Sequence, residues 1–288
     1  MKNSSFMAGA GKAFALSLLL LPAACSSTDS GNDSGIEVLE DIVLDEQLVE
    51  TSGLYCDANH IYTINDSGNS PDLFTLDTSG TIVKSEKLPR KNTDWESVTA
   101  DSEFFYIGDF GNNAGKRSDL AVLKVSRADT GDITPLPVNY ENYDIAKNEY
   151  YAHDYDAEAM VSRGDQLVLF SKSWLTRVVK VYLLDKGQTT PLLSPVAELS
   201  GIPGVVTGAD FDAQNNRYVI VGYTSNALGM FKPFIATLSA EFDLISTYKL
   251  DGYGQVEGLC VRENNTIWLT QESSPLSVAK LIKVKLPE

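Results

Sequence analysis

The sequence predicts an all-β chain folded as a five-bladed β-propeller, and three observations predict it. First, a unit made of an apolar run, a polar turn and a second apolar run recurs five times. Second, the runs are short and rich in β-branched and aromatic residues, with Gly, Asn or Asp in the turns, which is the composition of strands and hairpins. Third, the last unit is one strand short, while a spare strand-like run, IEVLEDIVLD, precedes the first unit. Four short strands per unit describe a propeller blade. Chain ends that share one blade close the ring and leave fewer free edges.

The paired runs begin at Ser52 (SGLYCDANHIYTINDSG), Glu96 (ESVTADSEFFYIGDFGN), Glu158 (EAMVSRGDQLVLFSKSW), Gly208 (GADFDAQNNRYVIVGYT) and Glu257 (EGLCVRENNTIWLTQES), so the starts are 44 to 62 residues apart. Repeats of this length are the signature of stacked or radial architectures. Third and fourth strands are expected at LFTLDTSG and TIVKSEKL, LAVLKVS and VNYENYDI, VVKVYLL and LLSPVAEL, and PFIATLS and LISTYKL. AKLIKVKL supplies the third strand of the last unit. A sixth blade has room only in the longest interval, between 96 and 158, where no additional inner strand is visible. A β-sandwich is the competing architecture, and the regular spacing weighs against it.

The chain opens with Lys2 and Lys12 around the start of an apolar run, AFALSLLLL, followed by small residues up to Cys25, which reads as an export leader over residues 1–24. LPAAC is similar to the bacterial lipobox, with Pro22 where an aliphatic residue is usual, and implies an acylated Cys25; an ordinary secretory leader is the alternative. Two or more acyl chains suffice for stable anchoring. Ser26 after Cys25 suits an outer-membrane address facing the periplasm. CSSTDSGNDSG, residues 25–35, has few apolar side chains to repay ordering and reads as a flexible tether. Residues 36–288 remain for one β domain with a sizeable core, expected to be a monomer.

The formal net charge is −16. It argues against nucleic acid and anionic lipid surfaces as partners and is compatible with cation binding. Cys56 and Cys260 remain once Cys25 is assigned to lipid; both fall in or beside inner strands, where the expectation is two small buried thiols rather than a disulfide.

In a blade the start of the innermost strand and the end of the second lie on the same edge, at one mouth of the central channel. Glu96, Glu158 and Glu257 lead three units, Ser52 leads the first, and Asp210 stands slightly out of register in the fourth. The second strands end at Asn65 and Asp66, Asp109 and Asn112, Lys172, Thr224 and Glu272. Carboxylates that converge on an axis persist through protonation, a basic partner or a bound cation. Hard oxygen donors suit Ca²⁺. Zinc is disfavoured, because the chain has only His60 and His153 and no cysteine cluster. Glu96, Glu158, Asp210 and Glu257 are therefore the expected metal ligands, with strand capping as the competing role. Trp95, Trp174 and Trp268 are expected to pack between blades rather than stack on a ligand. No serine sits in a nucleophile-elbow context, and GNNAG at 111–115 lacks the following residues of a phosphate loop, which leaves it a turn. Lys116 and Arg117 beyond it are candidates to hold an anion.

The succession SGL…NDSG, DWESV…YIGDFGNN…R, DAEAM, VTGADFD and VEGL…LTQES resembles the SdiA-regulated (YjiK-like) family of bacterial exported propellers, related propeller lipoproteins and, more distantly, the esterase-like phytase domain. The resemblance spans nearly the whole predicted domain. It implies a metal at the channel mouth and a shared site of Asn65, Asp66, Glu96, Asp109, Asn112, Arg117, Glu158, Asp210 and Glu257. The missing leading glutamate in the fourth unit and Lys172 in the third depart from a symmetric cage. The expected function is an envelope-anchored module that binds a divalent cation and a small or peptide ligand. One alternative is a metal-dependent ester or phosphoester hydrolase, with Glu96 or Glu158 as base and Arg117 or Lys172 holding the anion. Another is a protein-interaction scaffold.

Overall fold

A computed structural model describes residues 35–225, 230–275 and 277–287. The expected leader and the tether up to residue 34, including Cys25, lie outside them. Five four-stranded antiparallel sheets form the blades. The first described strand is β1 (Glu37–Val43). Blade 1 is β2 (Thr51–Cys56), β3 (Ile61–Asn65), β4 (Asp72–Leu76) and β5 (Ile82–Lys87). Blade 2 is β6 (Trp95–Ala100), β7 (Phe104–Asp109), β8 (Ala121–Ser126) and β9 (Ile133–Pro137). Blade 3 is β10 (Ala157–Arg163), β11 (Gln166–Ser171), β12 (Val179–Asp185) and β13 (Ala197–Leu199). Blade 4 is β14 (Val205–Asp212), β15 (Arg217–Ser225), β16 (Phe231–Ser239) and β17 (Leu244–Lys249). Blade 5 is β18 (Val256–Val261), β19 (Thr266–Gln271) and β20 (Lys280–Lys285), completed by β1 on its outer edge. The inner strands β2, β6, β10, β14 and β18 touch in a closed circle. No helix among the described residues is long and apolar enough to cross a membrane.

Burial falls from the axis outwards. β6 is buried at every position, whereas β5 (IVKSEK) and β17 (LISTYK) are half-buried or exposed throughout, as outer edge strands are. The core is a ring of five apolar clusters, one in each gap between neighbouring blades. Trp95 belongs to the cluster between blades 1 and 2, and Trp268 to the one between blades 5 and 1.

Every inner strand carries a β-bulge near its start, and the extra residues are Gly53, Glu96, Glu158, Thr207 and Glu257. A bulge kinks the strand and re-aims the side chain of its unpaired residue. Five bulges at one level therefore turn five residues towards one mouth. Gly53 is glycine for two reasons: its φ is +65°, and a Cβ there would lie 2.5 Å from the Val98 nitrogen of blade 2.

Two expectations are corrected here. VNYENYDI is not the fourth strand of blade 2; that strand is β9, ITPLP, which pairs Pro135 with Leu123 and Pro137 with Ala121. An outermost strand needs its N–H groups on one side only, so it tolerates proline. VNYENYDI instead begins the long loop 138–156, which accounts for the widest interval between units; Tyr140 within it is buried, its ring 4.8 Å from that of Tyr182. Cys56 and Cys260 are joined in a disulfide with a Cα separation of 5.8 Å, so they are not the two free thiols expected. Cys56 ends the inner strand of blade 1 and Cys260 lies in that of blade 5, side by side where the ring closes.

Candidate functional site

The mouth at the bulged ends encloses a cavity of about 420 Å³. Its charged lining is Asp66, Glu96, Glu158, Glu257 and Glu272 with Lys172, and its aromatic lining is Tyr151, Trp174, Tyr223 and Phe231. A larger cavity, about 720 Å³, opens beside the hairpin turns at the other end of blades 1, 4 and 5, between Cys56, Gln214 and Arg262. Among the described residues it gathers no comparable set of buried ionisable groups, so the bulged mouth is the candidate site.

Carboxylate oxygens of Asp66, Asp94 and Glu96 lie within 4.8 Å of one another. Asp66 follows β3 and is held by the backbone N–H of Ser67. Asn92 fixes the approach of blade 2: its amide donates to the carbonyls of Asn65 (2.9 Å) and Asp66 (2.8 Å), and its Oδ1 accepts from the Trp95 N–H (3.1 Å). Gly111 passes so close to Glu96 and Asp94 that a Cβ there would collide with both carboxylates. The GNN stretch after β7 is thus more than a turn; it is the wall that lets these acids converge.

Across the mouth Lys172 forms a buried ion pair with Glu158 through Oε1. Glu158 Oε2 is buried with no hydrogen-bond partner. Glu257 accepts from Gln255 Nε2 at 2.8 Å and lies beside the hydroxyls of Tyr223 and Thr207. The aromatic wall is equally fixed. Trp174 Nε1 donates to Asp156 Oδ2 at 2.8 Å, and its ring meets Tyr151 of the long loop at 4.4 Å. Tyr223 and Phe231 meet edge to face at 4.9 Å.

Burial is the main cause of the perturbed acidities. It pushes Glu96 well above the usual carboxylate range, aided by Glu158 and Asp66 and opposed by Lys172. Glu158 and Glu257 are raised by burial and pulled back by Lys172. Burial, Glu257 and Asp66 lift Glu272 to about 9, and burial lifts Asp66 to about 6 and raises Asp94. Burial alone would lower Lys172, but Glu158, Tyr223 and Glu257 hold it well above the ordinary lysine value. The folded state therefore binds protons that the unfolded chain releases, and stability falls as pH rises wherever the native state holds more protons. The metal-free protein is expected to melt highest near about pH 5 and progressively lower towards about pH 9, the window set by Asp66 and Glu272. Calorimetry in EDTA across that range checks it; a melting temperature that rises with pH would contradict it.

The structure brings together Asp66, Glu96, Glu158, Lys172 and Glu257 of the expected residues. It places the others elsewhere. Asp210 lies mid-strand opposite Val219 and accepts the N–H of Phe211 and of Val261, both at 2.8 Å, tying β14 to β18. The residue in register with the glutamates is Thr207. Arg117 does not face the cavity: it pairs with Asp109 at 2.8 Å and Asp119 at 3.1 Å and donates to the Gly111 carbonyl. Lys116 Nζ donates to the carbonyls of Ile145 and Asn148. Asn112 is used up by Arg117, Tyr143, Tyr155 and Asp156, and Asn65 Nδ2 by the Gln47 carbonyl. These residues frame the mouth without lining it. Trp174 is the exception among the tryptophans: it belongs to none of the inter-blade clusters and stands at the cavity. Asp94, Tyr151, Tyr223 and Phe231 were not singled out from sequence. Asp94 was legible as the acid two residues before the leading Glu96, and Tyr151 lies in the surplus length between units.

No family model matches the chain, and no curated protein matches it. Among solved structures it is similar to a luciferin-regenerating enzyme, with 12% identity and a TM-score of 0.49 over 85% of this chain and 95% of that one. It is also similar to a streptogramin B lyase, with 12% identity and a TM-score of 0.45 over 88% of this chain and 98% of that one. At this identity the likeness concerns the fold, which the blade topology establishes independently: the chain is a five-bladed β-propeller.

Proposed function

We propose that the protein is a binding module whose acidic mouth holds a divalent cation, with Ca²⁺ the favoured ion, beside a small ligand. The observation that carries this reading is the convergence of Asp66, Asp94 and Glu96 within 4.8 Å. The donor set is all oxygen, which suits a hard cation such as calcium, whereas magnesium demands a tight octahedron. Glu96, Asp66 and Asp94 would hold the ion in place of the earlier set with Asp210; Glu158 and Glu257 stand across the cavity. Binding is favoured over ester hydrolysis because the cations assigned to hold a substrate anion, Arg117 and Lys172, are both committed to carboxylates. The disulfide is at home in an oxidising compartment, which supports export; the envelope address, an acylated Cys25 and a place among the SdiA-regulated propellers are proposed on the sequence motifs alone.

Calcium at about one hundred times its dissociation constant adds roughly 2.7 kcal/mol to stability. For a domain of this size that raises the melting temperature of EDTA-treated protein by roughly 5–10 °C. Asp94→Asn is expected to remove the calcium response while leaving the metal-free protein at least as stable, since it relieves repulsion. Identical melting in calcium and in EDTA would refute the cation site.

A further inference from the structure

We propose that the side of the mouth facing blades 3 and 4 is a subsite for an organic ammonium ion, held by the carboxylates of Glu158, Glu257 and Glu272 against the faces of Trp174 and Tyr223. The proposal rests on the mouth being a binding site but not on the metal, because Trp174 and Tyr223 take no part in the Asp66–Asp94–Glu96 cluster.

The chain's own ammonium shows the chemistry. Lys172 Nζ stands 5.1 Å from the centre of the Trp174 ring and 5.8 Å from that of Tyr223, while bound to Glu158. A cation within about 6 Å of an aromatic face is attracted by the ring quadrupole, most strongly where water is excluded. Both rings are held before any ligand arrives, Trp174 by Asp156 and Tyr151, and Tyr223 by Phe231.

Charge then selects the ligand. Among the described lining residues five carboxylates face one lysine, and that lysine is spent on Glu158. Glu158 lines this cavity, and its second oxygen is buried and has no donor. A carboxylate left without a donor is costly, so the site is short of one cationic hydrogen-bond donor. A divalent ion at the neighbouring cluster would leave the acids of the aromatic side without a cation of their own, and an incoming ammonium would favour their ionised forms over the protonated ones that burial favours. An anionic ligand would meet repulsion, and a neutral ligand would leave the charge unbalanced. An ammonium supplies charge, donors and an apolar skirt for the rings.

The experiment uses the full protein in EDTA. Trp174 is the reporter, because Trp95 and Trp268 are 0% and 2% exposed. Spermidine and tetramethylammonium are titrated against tryptophan fluorescence, with acetate and N-acetylglucosamine as anionic and neutral probes. A saturable change is expected with at least one ammonium probe and with neither of the others; the stronger of the two separates a hydrogen-bonding amine from a quaternary head. By calorimetry Trp174→Ala weakens that binding about thirtyfold, the loss of one desolvated ring contact. Glu272→Gln weakens it about tenfold, and Trp174→Phe, which keeps a ring, stays close to wild type. Asp94→Asn leaves it unchanged, whereas the calcium response survives Trp174→Ala, so failure of either reading is seen separately. The proposal falls if neither ammonium binds, if the sugar or acetate binds instead, or if Trp174→Ala and Glu272→Gln weaken nothing that does bind.

Discussion

Replacing Cys56 and Cys260 together by alanine is expected to cost about 4 kcal/mol and to lower the melting temperature by about 10 °C. The bond joins positions 204 residues apart, so in the unfolded chain it closes nearly the whole propeller into a loop. The entropy removed from that ensemble grows with the logarithm of loop length, and for a loop this long it sits near the top of the usual range. In the folded chain the bond lies where blade 5 meets blade 1, among Leu54, Phe74, Trp268 and Leu281. The same seam is closed a second time further out, by β1 pairing with β20. Two closures of one ring act on different states: the strand pairing adds native contacts, and the disulfide restricts the unfolded chain. Alanine is the better substitution, since serine would bury an unpartnered hydroxyl at position 260. Denaturant unfolding of the oxidised protein, the reduced protein and the double variant checks the expectation. The last two should agree, and equal stability for all three would show that the bond constrains nothing.

The ring was legible in the sequence because its signal is repeated. The short apolar runs, the hairpin turns and the displaced strand each say little, but five copies in register say a great deal. The leading glutamates were legible for the same reason. What the sequence hid was local chemistry that repeats do not carry. β9 was hidden by Pro135 and Pro137, because strand propensity cannot see that a strand lies on an edge. Thr207 was hidden by the acid three residues on: Asp210 looked like the missing ligand, but a bulge adds one residue to the count and settles which side chain turns inwards. Arg117 looked free because its partners, Asp109 and Asp119, lie on either side of a turn whose path the sequence does not give. The disulfide was underestimated because 204 residues separate two cysteines that only ring closure makes neighbours.

Lys172→Met is the single substitution expected to test the electrostatics of the mouth most severely. Removing one partner of a buried ion pair costs about 3–5 kcal/mol when the other is left charged. Glu158 is already pushed well above the carboxylate range by burial, and Lys172 is the group that pulls it back. Without that lysine Glu158 escapes by taking up a proton, so the cost depends on pH. Near about pH 5 the acid is neutral and the loss is small; near about pH 8 it has to ionise or hold its proton against solvent, and the loss approaches the full range. The gap between variant and wild type should therefore widen as pH rises. Adding Glu158→Leu removes the stranded acid, and the double variant should recover to within about 1 kcal/mol of wild type, because an apolar pair of similar volume is often as stable as a buried ion pair. A gap that stays constant with pH would mean that Glu158 is not the group responsible. The same variant speaks to binding. Lys172 occupies the cation position between Trp174 and Tyr223, so its removal should raise affinity for an ammonium ligand even as it lowers stability at alkaline pH. Stability and affinity moving in opposite directions is the result that a purely structural lysine would not give.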